Sequence, residues 1–123
     1  KEKILLHQKE ALKQRPQKLP EIARDECREK YKVRYSEIDV NQHANFARYI
    51  DWVLDSYFEP FHTQSEVSEI QVNYRAEARL NNELLVYSRQ ESEEPLVFMN
   101  TLVRQKDNTE ICRMQIEWKD KNQ

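Results

Sequence analysis

The apolar positions of this chain fall into one helical period flanked by several two-residue periods. From Phe46 the large apolar side chains recur at Tyr49, Ile50, Val53, Leu54, Tyr57 and Phe58, offsets of 3, 4, 7, 8, 11 and 12. That spacing gathers them on one broad buried face of a helix. Asn45 stands just before the run, where its side-chain oxygen can accept an orphan amide at the helix start. Ahead of it, Tyr31-Lys32-Val33-Arg34-Tyr35 alternates in the manner of a strand. Behind it, Pro60 is expected to close the helix and leave Glu59–Gln64 as a connector. Four strand-like runs follow. Val67–Ala78 sets Ile70, Val72, Tyr74 and Ala76 against Gln71, Asn73, Arg75 and Glu77 on the other face; Glu83–Gln90, Leu96–Arg104 and Glu110–Trp118 come after it. Asn81-Asn82, Glu93-Glu94-Pro95 and Asp107-Asn108 separate these runs by hairpin-length turns, so the strands are expected to be antiparallel.

One strand, one buried helix and four antiparallel strands make an α+β layout, a curved sheet of about five strands wrapped around one long central helix. Residues 31–123 read as that domain, and residues 1–30, punctuated by Pro16 and Pro20, read as a linker or leader segment. The bend between the first strand and the helix carries three polar side chains at alternate positions, Asp39, Asn41 and His43. Short polar residues on a loop fed into a rigid helix are where scaffolds place chemistry. Taken alone, Asp39 and His43 serve equally well as caps for the helix that follows.

Composition narrows the function classes. The 123 residues are 38% hydrophobic and 34% charged, with a formal net charge of −2. A heavily charged exterior of nearly balanced sign does not suit a nucleic-acid binder, and no aromatic residues interleave a basic run. Lys1 to Pro20 hold six Lys or Arg against two Glu, a local excess read as a solvated leader, with an acidic partner as the alternative. No apolar run approaches the ~18 residues of a membrane span, and the opening Lys1–Leu6 is too short in apolar length for a signal peptide. The cytoplasm is the default expectation. Cys27 and Cys112 are read as reduced thiols, and neither they nor His7, His43 and His62 show metal-site spacing. Glycine is absent altogether, which removes Gly-rich phosphate loops and leaves the turns to asparagine and aspartate.

The run VRYSEIDVNQHANFARYIDWVLDSY resembles the signature of the hot-dog-fold acyl-ACP thioesterases of plants and bacteria, in which a DVNQHxN bend opens a helix. Downstream, EIQVNYRAEARLNNEL is similar to that family's strand carrying a glutamate, usually followed by a cysteine. Lys18-Leu19-Pro20 resembles the linker before the second half of such enzymes, and the likeness runs from about Lys18 to Trp118. It implies a hot-dog fold, no cofactor, an acyl carrier protein bearing the substrate, and a catalytic set corresponding to Asp39, Asn41, His43 and Glu77. Two departures stand out. Ala78 occupies the place of the cysteine, so an acyl-cysteine route is not available there. The family carries two hot-dog halves and this chain resembles only the second, so a homodimer, or pairing with another hot-dog half, is expected.

Hydrolysis of a thioester needs a positioned water, a base, and donors where the carbonyl oxygen becomes negative. In that scheme Glu77 is the base, its pKa raised by an apolar surround, Asn41 donates from its amide, His43 donates or shuttles a proton, and Asp39 orients His43 or Asn41. Amides at the helix start add to the oxyanion site. The weak point is parity: Glu77 alternates away from Ile70, Val72, Tyr74 and Ala76, so it faces the site only if a bulge intervenes or that sheet face lines the interface. Trp52, Tyr57 and Trp118 read as packing, and Arg48, Arg75 and Arg79 as surface charges or, alternatively, as partners for a pantetheine phosphate. Two other functions remain open on the residues: a non-catalytic half that pairs or binds acyl chains, and an acyl-CoA thioesterase of the 4-hydroxybenzoyl type. A dehydratase fits the Asn41 and Glu77 pattern less well.

Overall fold

The computed structural model describes residues 12–13, 17–57 and 59–122. Five strands, β1 (Cys27–Lys32), β2 (Ser65–Tyr74), β3 (Glu83–Glu93), β4 (Leu96–Arg104) and β5 (Thr109–Asp120), form one sheet in the order β1-β3-β4-β5-β2, every neighbouring pair antiparallel. A helix, α1 (Phe46–Asp55), lies against the inner face of the sheet. Met114, Ile116, Leu102, Leu84, Val86, Ile70 and Val72 meet Tyr49, Ile50, Trp52 and Val53 there in a single apolar cluster. The period-2 runs supply the sheet side of this core and the 3–4 period supplies the helix side, as the pattern requires.

Several expectations about the elements are corrected. The central helix is not long: α1 is ten residues, about three turns. It ends at Asp55, and the stretch read as a connector is a second short helix, α2 (Glu59–Gln64). Pro60 falls in its first turn, where a missing amide costs nothing. Phe46 is half-exposed at 52%, and Phe58 lies outside the described residues. The first strand is Cys27–Lys32, not Tyr31–Tyr35. Tyr35–Glu37 instead form a 3-10 turn, because the Glu37 carboxylate takes the Arg34 amide at 2.9 Å while the Glu37 amide reaches the Arg34 carbonyl. The second strand stops at Tyr74, since the amides of Arg75 and Ala76 both turn to the carbonyl of Ile111. Among the described residues, two of the three left-handed positions are asparagines, Asn81 and Asn108; the third is Gln42, inside the bend.

Ahead of β1, the described residues 12–13 and 17–24 lie as a strap from one sheet edge across the outer face. Leu12 bridges Ile70 in parallel and the Lys13 amide donates to the Ile70 carbonyl at 2.7 Å. Asn73 then holds the main chain twice, accepting from the Leu19 amide and donating to the Gln17 carbonyl. Leu19 and Ile22 are buried against Met99 and Tyr87 on the face opposite α1. Of the leader's basic residues Lys1, Lys3, Lys9 and Arg15 lie outside the described residues.

Candidate active site

The bend before α1 is closed by its own side chains. Asp39 accepts the amides of Asn41 (2.9 Å) and His43 (3.2 Å) on one carboxylate oxygen, and its amide donates to the His43 carbonyl. A short acceptor two residues upstream is the Asx-turn arrangement, and it offers the backbone a closure that no ladder supplies here. Asn45 caps α1 by accepting the Ala47 amide at 2.8 Å. Asp39 therefore shapes the main chain under Asn41 and His43 and makes no hydrogen bond to the imidazole. The Asn41 side chain is exposed at the tip.

His43 and Glu77 are brought together: Nδ1 of the imidazole lies 2.9 Å from Oε2 of the carboxylate, with the side chains 26% and 51% exposed. The parity problem dissolves because Glu77 is not in a strand. Past Tyr74 the backbone leaves the ladder through the double contact at Ile111, and residues 75–82 pass beneath the bend. Three groups hold that passage: Arg104 donates from Nη1 to the Glu77 carbonyl (2.8 Å), the Ala78 amide donates to the Tyr49 hydroxyl (2.9 Å), and the Ala44 amide donates to the Ala78 carbonyl (2.9 Å). His43 and Arg79 form an isolated bridge beside them. The side chain of Ala78 is fully buried in the core while that of Glu77 faces outward. The apolar surround expected for Glu77 is not formed by the described residues, since half of its side chain is exposed.

Pattern gives Tyr49 a place in the buried helical face and gives neither Tyr49 nor Arg104 a part in the site. Tyr49 reads as one more core aromatic, and its buried hydroxyl, whose pKa burial pushes up, gives no sequence signal. Arg104 lies 27 residues from Glu77 in the chain. Trp52, Tyr57 and Trp118 are buried as packing residues, although the Trp52 indole also donates to Glu37 at 3.1 Å and so ties the bend to α1. Arg48 pairs with Asp51 and Arg75 with Glu110, which commits both to intramolecular partners. A groove of about 340 Å³ runs beside the bend, bordered by Glu37, Asp39, Asn45 and Arg48. A larger one, about 540 Å³, lies at the far end of β2 around Ser68, Leu96 and Trp118 and contains none of the four residues. Among the described residues no cluster of His, Cys, Asp and Glu is arranged to hold a metal, and no helix is long and apolar enough to cross a membrane.

Residues 21–120 match the profile of the acyl-ACP thioesterase C-terminal domain. The chain belongs to that family. Among curated relatives of this acyl-ACP thioesterase domain, the chloroplastic dodecanoyl-[acyl-carrier-protein] hydrolase of Cinnamomum camphora is 32% identical over 114 residues, covering 87% of this chain and 28% of that protein. A chloroplastic acyl-[acyl-carrier-protein] hydrolase of Cuphea viscosissima is 32% identical over 107 residues, with 85% and 26% covered. The chain thus spans about a quarter of the length of the relatives it matches. Two solved structures share the fold: an acyl-ACP thioesterase from Bacteroides thetaiotaomicron (TM-score 0.77, 22% identity, 86% of this chain and 42% of that one) and the 12:0-ACP thioesterase of Umbellularia californica (TM-score 0.71, 24% identity, 85% and 40%). The sheet wrapped on α1 is the hot-dog fold that the acyl-ACP thioesterase resemblance implied. The relatives are named as chloroplastic proteins, a compartment apart from the cytoplasm that composition suggests by default.

Proposed function

We propose that this domain carries the catalytic half of an acyl-ACP thioesterase and that it hydrolyses a fatty acyl thioester by direct attack of water. The observation that carries the reading is the 2.9 Å contact between His43 and Glu77, made across 34 residues of chain on the bend that the family signature picks out. In the reaction a water oxygen attacks the carbonyl carbon as its proton passes to the base. Asn41, whose amide is exposed at the tip of the bend, donates to the oxygen that becomes negative. The C–S bond then breaks, the sulfur takes a proton from the His43–Glu77 pair, and the products are a free fatty acid and the carrier's pantetheine thiol. Asp39 holds the amides that aim Asn41 and His43.

Glu77 is the base in this scheme. A second division of labour is favoured by the atom involved: a carboxylate on Nδ1 fixes the imidazole tautomer and leaves Nε2 to take the water's proton, with Glu77 as the orienting group. Glu77→Gln separates the two, because a glutamine oxygen still accepts from Nδ1–H but removes no proton. Loss of roughly 10²-fold or more in turnover supports Glu77 as the base, and a much smaller loss supports His43. The buried position of Ala78 favours direct hydrolysis in either case, since a side chain there points into the core.

Thiol release from acyl-ACP by the purified protein is the primary test. If His43→Ala and Glu77→Gln both release thiol as fast as the parent, the site is misassigned. An inactive parent that gains activity when the other hot-dog half is added supports the pairing module instead, and faster turnover of acyl-CoA than acyl-ACP supports the 4-hydroxybenzoyl type. Pairing as a homodimer, or with that other half, belongs to the same proposal. Its support is the stacked pair of Phe46 and Tyr74, ring centroids 4.3 Å apart and half-exposed where β2 ends. Equilibrium sedimentation that finds only monomer in the presence of the other half removes it.

A further inference from the structure

We propose that Tyr49 and Arg104 are positioning residues for Glu77: from two different elements they clamp the main chain of residues 77–78, and that clamp delivers the Glu77 carboxylate to His43. Its catalytic meaning rests on the hydrolase reading above, but its structural content does not.

Glu77 stands in a stretch that belongs to no strand, so no ladder fixes it. Loop segments of this kind are ordinarily the mobile parts of a fold, and a base must be held to within a fraction of an ångström. Here consecutive peptide groups are tied at three points. The Glu77 carbonyl receives Nη1 of Arg104, the last residue of β4, at 2.8 Å. The Ala78 amide is taken at 2.9 Å by the hydroxyl of Tyr49, which projects from the first turn of α1 and is fully buried. The Ala78 carbonyl receives the amide of Ala44, the residue after His43, at 2.9 Å. The last bond puts both members of the candidate pair on one frame, and the first two anchor that frame to helix and sheet.

Neither anchor is free to wander. Arg104 is braced by Asp107, which takes Nε at 3.0 Å and Nη2 at 3.1 Å, a two-pronged charge-assisted contact that leaves Nη1 directed at Glu77. The Tyr49 ring is packed between Phe46, Trp52 and Tyr74 with centroids near 6 Å. A buried tyrosine hydroxyl needs a polar partner, and the one it has is the amide next to the candidate base. The clamp therefore couples the register of α1 and the end of β4 to a carboxylate that pattern alone leaves on the wrong face of a strand.

Tyr49→Phe keeps the packed ring and deletes only the acceptor. Three readouts apply. The Ala78 amide, hydrogen-bonded to Tyr49 in the parent although it lies outside any strand, is expected to exchange about tenfold faster or more in the variant. The nuclear Overhauser contact between the His43 ring and the Glu77 γ-methylene is expected to weaken. On acyl-ACP, kcat is expected to fall roughly tenfold with KM within about twofold. Arg104→Ala should act the same way and Arg104→Lys should recover part of the loss. If Tyr49→Phe fails to fold, Asp107→Asn, which loosens Arg104 from the surface, carries the same three readouts. Retention of the His43–Glu77 contact in both the tyrosine and the arginine variants overturns the proposal, whatever happens to turnover. A weakened contact with unchanged kcat overturns it too. If the parent does not hydrolyse thioesters, the hydrolase reading falls, and the exchange and Overhauser measurements still decide the clamp.

Discussion

Asp39 illustrates how one side chain can shape a bend through the main chain alone. Its carboxylate satisfies two amides of a bend with few other internal bonds, so Asp39→Ala is expected to destabilise the fold by about 1–2 kcal/mol and to lower turnover further by loosening His43. Asp39→Asn, which retains the acceptor, should be milder in both denaturant midpoint and rate. Position 78 makes the opposite point. Ala78 is fully buried beside Glu77, so Ala78→Cys should add no readily titrated thiol to the native protein and no activity, at a packing cost of about 1–3 kcal/mol. The parent sets the baseline: Cys27 is exposed and should react at once, whereas Cys112 is buried, burial pushes its thiol pKa up, and it should react only on unfolding. At this scale Asp39, Asn41 and His43 were legible because they are close in sequence. Glu77 was legible only through the family signature, since period-2 parity pointed it away from the site and the departure at Ile111 has no mark in the residues of β2.

Among the elements, α1 was the easiest to read and the hardest to bound. Asn45 stands out as its cap, and the cap is made. Replacing it with alanine should cost about 1 kcal/mol, seen as a lower urea midpoint with an unchanged slope. The end of α1 was less visible: apolar spacing continues through Phe58, but the helix ends at Asp55 and α2 follows with Pro60 in its first turn. The strap was hardest of all. Polar residues and two prolines gave residues 1–30 the look of a leader, yet Leu19 and Ile22 cover the outer face of the sheet, and two isolated apolar residues in a polar stretch carry no period. Asn73→Ala removes both contacts to residues 17 and 19. Faster exchange of the Leu19 amide, with the exchange of β4 left as it is, is the expected result.

For the molecule as a whole, the outer face of the sheet is tied by charge. Burial pushes the Glu110 carboxyl up, but hydrogen bonds from Arg113 and Thr101, with the charges of Arg113 and Arg75, outweigh it and hold its pKa below the usual glutamate value. A carboxyl whose folded pKa is depressed stabilises the native state above its unfolded pKa, and that contribution is lost as pH falls through the folded one. Glu110→Gln should therefore be less stable than the parent at neutral pH, and the gap should close as the solution is acidified below the usual glutamate range. A gap that is constant with pH would place the effect in packing instead. Because Arg113 also donates to the Leu19 carbonyl at 2.9 Å, the same substitution should loosen the strap, which joins two regions that composition had divided.

Period and spacing were sufficient to determine the four later strand runs, the helix with its buried face, the β3–β4 and β4–β5 hairpins and the polar bend, because each depends on neighbours within a few residues; the turn expected at Asn81-Asn82 makes no hairpin, since β2 pairs with β5 at the sheet edge. Tertiary structure alone decided where strands end and which carboxylate meets which imidazole. The His43–Glu77 approach depends on a backbone turned out of its ladder by Ile111 and held by Tyr49, Arg104 and Ala44. Those partners lie far apart in the chain, and only the packed core brings them within reach of one another.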